Sequence, residues 1–356
     1  MKMNEMSRSE EKNYKLVDLI KFICAFLVIG IHTRQFLSVS DIADRLFYYD
    51  VSNYSVPFFY ACSGYFLLAK KSNIKLGDRL KIRIKKVLRL YLVWSLLYIP
   101  LTLYGWCIEG NWKLSYLFRC LRNFFFVGEN YYSWTLWYLN GLIFALLVIK
   151  LMLRKYSIGK MAEFGSVLYI IGVVLTILRE HLKELPVIIA CPIGMYFKLF
   201  LTTRNGLFQS LAFVSIGMQI AEAEQFDKLR VSIQNAIVFV LVCAVKVFCS
   251  LFGGSDISKL LDLPTFYFMF AVIILECKEN RLKGNFYKHL RSTSETMYFI
   301  HMYFVAFCAL VLYKDDYNNF KSYLICAGGA LAVSEIYSWM KNISNRSTTV
   351  SRLKHD

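Results

Sequence analysis

The sequence predicts an all-α polytopic membrane protein with about ten transmembrane helices and both termini in the cytoplasm. Three observations predict it. Hydrophobic residues make up 57% of the 356 and charged residues 19%, whereas soluble domains carry about 45–50% and about 25%. The apolar residues gather in runs long enough to cross a bilayer. Lys and Arg gather in alternate connections between those runs. No Pro/Gly/Ser-rich linker divides the chain, so residues 1–356 read as one membrane-embedded domain with short cytoplasmic tails at 1–15 and 341–356. Disordered, collagen-like and disulfide-stapled classes are excluded by the same composition.

A helix needs about 20 mostly apolar residues to cross the hydrocarbon core. Leu16–Phe36 comes first; mixed charges precede it and no small-x-small cleavage site follows, so it stays as a span rather than a removed signal. Tyr54–Ala69 is short but almost wholly apolar. Val87–Trp106 emerges from the basic stretch Lys70–Arg89. Ser133–Leu153 opens on a Trp-rich boundary, as spans often do. Glu163–Leu178, Gly206–Ala221, Val231–Phe252, Leu263–Cys277, Glu295–Tyr313 and Phe320–Met340 complete the ten. The stretch Leu185–Leu201, interrupted by Pro186, Pro192 and Lys198, reads as a loop, interfacial or re-entrant. Tyr116–Val127 is aromatic but holds Arg119 and Arg122, which puts it at the interface.

Charge tests the layout. With the N-terminus inside, the inner segments hold 28 of the 42 Lys and Arg and the outer segments 12, the bias of cytoplasmic loops. The net charge of +17 is thus a topology signal. Nucleic-acid binding is excluded, since no stacking platform or zinc motif accompanies the basic loops. Ten cysteines show no C-x-x-C pair and no Cys/His cluster at zinc spacing, so neither a disulfide framework nor a structural metal is expected.

Polar groups inside apolar runs are the candidates for function. The first span carries Asp18, Lys21 and His32. Asp18 and Lys21 share a face and can pair. His32 follows Lys21 by eleven residues, close to three turns and roughly 16 Å along the axis. The two therefore share a face that can line a polar path, and His is the side chain best suited to proton transfer near neutral pH. In Lys70–Arg89, Leu80, Ile84, Val87, Leu88 and Tyr91 form an apolar face among Arg79, Lys81, Arg83, Lys85, Lys86 and Arg89. Two readings stay open: attachment to the lipid surface and capture of a polyphosphate donor. Ser63-Gly64 permits close helix approach. His301 lies inside the ninth span, and Lys246 and Glu335 are intramembrane charges that can pair. His181, His289 and His355 receive no role, and no G-x-S-x-G, P-loop or H-E-x-x-H motif is present.

These residues resemble acyltransferase family 3 membrane proteins. DLIKFICAFLVIGIH resembles the family's opening span, VPFFYACSGYFL its F-F-x-x-S-G segment, and KKVLRLY its basic block, landing on Lys86 and Arg89. SWTLWYL, RNGLF and YFIH match further segments in order. Lys21 and Lys86 stand where the family usually has Arg, and Met302 where a Pro often follows the histidine. The resemblance implies an O-acyltransferase of the bacterial cytoplasmic membrane, with acyl-CoA as co-substrate and no bound cofactor or metal. Its acceptor would be a hydroxyl of a cell-surface glycan or lipid-linked sugar. It implies His32 as catalytic residue, Lys21, Lys86 and Arg89 as donor-binding residues, and Asp18, Ser63, Trp137 and His301 in support. The wording IKFICAFLVIGIHT with VPFFYACSGYFL is also similar to the membrane domain of vancomycin-resistance serine racemases. That similarity implies an alternative role, L-serine supply to a separate racemase as partner.

Overall fold

The computed structural model describes residues 14–69, 73–229, 233–253, 255–278, 282–284 and 286–352. Among them every regular element is helical. Four helices are long and apolar enough to cross a membrane, five if the bent third pair counts as one span. They are α1 (Lys15–Thr33), Trp134–Met152, Ile158–Glu180 and Phe286–Leu312. Basic positions counted above at 1–13, 70, 71, 230, 281 and 354 lie outside the described residues, as does His355.

After α1 the chain forms α2 (Ser55–Ala69), α3 (Leu76–Leu97), α4 (Ile99–Ile108), α5 (Leu114–Arg122), α6 (Trp137–Met152) and α7 (Ile158–Glu180). Then follow α8 (Val187–Phe200), α9 (Leu211–Gln225), α10 (Ile233–Phe248), α11 (Asp262–Lys278), α12 (Phe286–Phe307) and α13 (Phe320–Arg352). The basic stretch and the third span are one structure: α3 runs through Lys81 to Leu97, and the chain then bends by 48° into α4. Pro100 in the first turn of α4 explains the bend, because a proline cannot donate to the carbonyl four residues back. Leu185–Leu201, read as a loop, interfacial or re-entrant, contains a short helix. Pro186 ends the preceding connection, and Val187–Phe200 is helical with Pro192 inside it. At 14 residues and 1.5 Å per residue, α8 reaches only about 21 Å, short of a bilayer core. The last helix also outruns the expected span, continuing from Met340 to Arg352.

Helices α2 and α9 form the centre. A Cβ on Gly64 would strike the Val214 carbonyl oxygen, and one on Gly217 would strike the Ala61 carbonyl oxygen. Two glycines, each against the other helix's backbone, let the axes approach as small residues do in membranes. Around this pair α1 packs on α12, α12 on α13, α9 on α7 and α3 on α6. The buried face of α3 holds Leu80, Val87 and Tyr91, three of the five apolar positions the periodicity selected; Leu88 is exposed.

A second polar centre lies under the connection 41–54. Lys246 of α10 donates to Asp50 at 2.7 Å and to the Tyr49 carbonyl at 3.0 Å. It also stands 3.4 Å from Asp262 of α11. Asp262 accepts from Asn53 (2.9 Å), Tyr54 (3.3 Å) and Tyr169 (3.0 Å). Lys246 and Glu335 therefore do not pair. Glu335 instead meets His289 at 2.8 Å and Thr293 at 3.0 Å. The Lys246 and Asp262 side chains are each 3% exposed, so removing the ammonium strands two buried carboxylates. Lys246→Met is expected to lose about 3–5 kcal/mol of stability, read as a lowered unfolding midpoint in detergent. An unchanged midpoint would show that the cluster is not an ion-pair anchor.

Candidate active site

Helix α1 ends where Arg34 takes a left-handed conformation, φ 42°, and its N–H caps the Gly30 carbonyl. Arg34 is then clamped by the buried Asp44. Phe47 packs against the bare face of Gly30 and edge-on to Phe36. This fixes the last turn of α1 and with it His32. The His32 ring is half-buried, 5.4 Å from the His301 ring of α12 and 5.8 Å from Trp134. His301 is fully buried, and its Nδ1 donates to the Met297 carbonyl at 3.1 Å in its own helix. The sequence candidates His32 and His301 thus face each other across the interior, 269 positions apart.

From His301 an aromatic and polar row leads to α3. Tyr298 lies beside His301, ring centroids 6.3 Å apart, and beside Tyr138 at 5.5 Å. The Tyr138 hydroxyl is 3.5 Å from Ser63 Oγ, which accepts from Arg83 Nη2 at 3.4 Å. Arg83 Nε is buried with no hydrogen-bond partner among the described residues. Arg83 therefore turns inward, as does half-buried Arg79, which donates to the Leu67 carbonyl of α2. Lys86 and Arg89 are both exposed. Arg89 sits two residues past buried Val87, roughly 200° round the helix, so it cannot share the inward face.

Other candidates separate in the same way. Lys21 lies over the Phe66 ring, 4.9 Å from its centroid. Asp18 is buried, and its ion pair is with Arg291 at 3.9 Å rather than with Lys21. The expected Asp18–Lys21 contact is thus replaced by an interhelical one. Trp137 packs on Tyr60 at 6.2 Å; the tryptophan beside His32 is Trp134. Residues 134–136 form a 3₁₀ turn before α6, so α-helical spacing does not predict which indole points inward.

The end of the bundle beside His32 holds two residues the sequence reading missed as a pair. Arg204 lies near enough to His32 and to Glu129 to act on both through space. Burial pushes the Glu129 carboxyl above its ordinary range, and Arg204 works against that rise. Asn205 builds this corner: its Oδ1 accepts from the N–H groups of Leu207 (3.0 Å) and Phe208 (3.2 Å), a helix cap. RNGLF carried the signal for Arg204. Nothing local marked Glu129.

Fold and site together define a helical membrane protein with two facing histidines at the end of an interior polar row. The chain belongs to the acyltransferase 3 family: the family described as acyltransferase domain matches residues 14–339. Among curated proteins, the chain is 28% identical over 281 residues to an amino-acid racemase of Enterococcus faecalis, covering 75% of this chain and 36% of the relative. It is 26% identical over 320 residues to a serine/alanine racemase of Enterococcus gallinarum, covering 87% of this chain and 44% of the relative. The chain therefore spans less than half the length of these relatives. No solved structure matches it.

Proposed function

We propose that the protein transfers an acyl group, acetyl in the simplest case, from cytoplasmic acyl-CoA to a hydroxyl of a cell-surface glycan or lipid-linked sugar. It does so as a ten-span protein of the bacterial cytoplasmic membrane with both termini inside. The observation that carries the reading is the His32–His301 pair, 5.4 Å apart by ring centroid, at the end of the row through Tyr298, Tyr138, Ser63 and Arg83. His32 is the transfer centre, as base or as transient acyl carrier. Arg83 supplies a hydrogen-bond donor inside the bundle for the thioester end of the donor, with Ser63 beside it. Lys86 and Arg89, exposed on the same helix, are free to meet its phosphates, and Lys21 stands near the inner end of α1. As a Lys, residue 86 offers phosphate a point charge in place of the bidentate fork of Arg.

The racemase names of the relatives favour a second reading. There the same interior would pass L-serine to a separate racemase, and no acyl group would move. One preparation separates the two. Purified protein in liposomes is given acetyl-CoA and, in parallel, radiolabelled L-serine. CoA release without serine accumulation is expected; serine accumulation without CoA release would overturn the transferase reading.

A further inference from the structure

The second histidine has a fixed proton. Its Nδ1 lies 3.1 Å from the Met297 carbonyl, and a carbonyl only accepts, so Nδ1 must carry the hydrogen. In a neutral imidazole the lone pair is then on Nε2. That Nε2 is buried and makes no hydrogen bond to any described residue, although an unmatched buried acceptor costs about 1–3 kcal/mol. His301 is itself fully buried, as are Met297 and Met302 on either side of it. The neighbouring imidazole is His32, which makes no side-chain hydrogen bond with a described residue and is itself only half-buried. Trp134 is the other ring beside His32, at 5.8 Å. A hydroxyl that reaches Nε2 meets a lone pair whose direction is set in advance by the Met297 contact.

The geometry points to a division of labour: His301 is the catalytic base that takes the acceptor's proton, and His32 is the residue that carries the acyl group. This rests on the acyl-transfer reading. In the first step a His32 ring nitrogen attacks the thioester carbonyl, the C–S bond breaks, and the thiolate of CoA leaves with the electron pair. In the second, the acceptor oxygen attacks the acyl carbon. The C–N bond breaks with its electron pair returning to His32, and the hydroxyl proton passes to His301 Nε2. That proton finally neutralises the thiolate, so thioester and alcohol become ester and thiol. The orienting contact from Met297 does for His301 what a hydrogen-bonded partner does for any catalytic histidine: it selects the tautomer.

The two steps can be read apart in liposomes holding the full chain. Exchange of label between acetyl-CoA and free CoA needs only the carrier. Delivery to methyl glucoside needs the base. Delivery to hydroxylamine, a strong nucleophile, does not. His301→Gln keeps a polar atom near the Nε2 position but cannot take a proton. It is expected to exchange label within about twofold of wild type and to acylate hydroxylamine normally, while transfer to methyl glucoside falls about 10²–10⁴-fold. Added imidazole is expected to restore transfer in His301→Ala, which a purely structural role would not allow. Equal loss of exchange and transfer in His301→Gln, or loss of neither, would overturn the assignment. A wild-type protein that exchanges label but does not acylate methyl glucoside would also overturn it. A wild-type protein with no exchange at all would instead overturn the acyl-transfer reading beneath it.

Discussion

His32→Ala is expected to lower acyl transfer at least about 10²-fold, since losing even a proton-transfer group costs that much and losing the residue that carries the acyl group costs more, with no change in membrane insertion or unfolding midpoint. The structural part of this expectation follows from the neighbourhood. His32 is half-buried and makes no side-chain hydrogen bond with a described residue. The turn that holds it is fixed by the Arg34 cap, the Asp44 clamp and Phe47, none of which needs the imidazole. The loss should therefore appear in the rate and not in the folded fraction. CoA release from acetyl-CoA, beside thermal unfolding of the same sample, separates the two. An alanine variant that transfers at near the wild-type rate would remove His32 from the chemistry.

Gly217→Val is expected to abolish recovery of folded protein. Ordinary overpacking costs about 1–3 kcal/mol because side chains can shift. Here the obstacle is the Ala61 carbonyl oxygen, with the Ala61 Cα also within 2.8 Å of an added Cβ, and backbone inside a helix cannot move aside. The reciprocal contact of Gly64 with Val214 prevents relief by sliding one helix along the other. The expected readout is loss of the monodisperse peak on size exclusion in detergent. Gly328→Ala serves as the control, since its added Cβ meets nothing within 4 Å and a mid-helix Gly-to-Ala change is worth about 0.5–1 kcal/mol of stabilisation. A monodisperse, thermally normal Gly217→Val protein would refute the close α2–α9 packing.

What the sequence revealed, and where it stopped, follows the range of the forces involved. Helical class comes from local hydropathy and was legible, and four or five of the ten expected spans are long and apolar enough to cross a membrane among the described residues. His32 and His301 were legible because an ionisable group in an apolar run stands out on its own. The inward turn of Arg83 was not. Lys70–Arg89 has charges on nearly every side of the helix, so periodicity marked the apolar face but left Arg83 undistinguished from Lys86 and Arg89. Only packing, which brings Ser63 within reach of Arg83, separates it from exposed Lys86 and Arg89. The Lys246 cluster joins residues near 50, 246 and 262, a pairing set by tertiary packing alone, so Glu335 stood as an equally good partner on paper. Leu185–Leu201 was read as a loop, interfacial or re-entrant; the prolines did not show that Pro186 precedes a helix and only Pro192 lies inside it, a helix too short to cross a bilayer core.

The central claim is that the ionisable face of α1 looks into the bundle, with His32 against His301. The double variant His32→Cys/His301→Cys, treated in membranes with a short bifunctional thiol reagent and mapped by mass spectrometry, tests it directly. A linked pair of peptides containing positions 32 and 301 is predicted, with no link from 301 to a cysteine placed at the exposed, opposite-facing Ile23. Linkage from position 23 and none from position 32 would mean that α1 is turned the other way, with its histidine toward lipid.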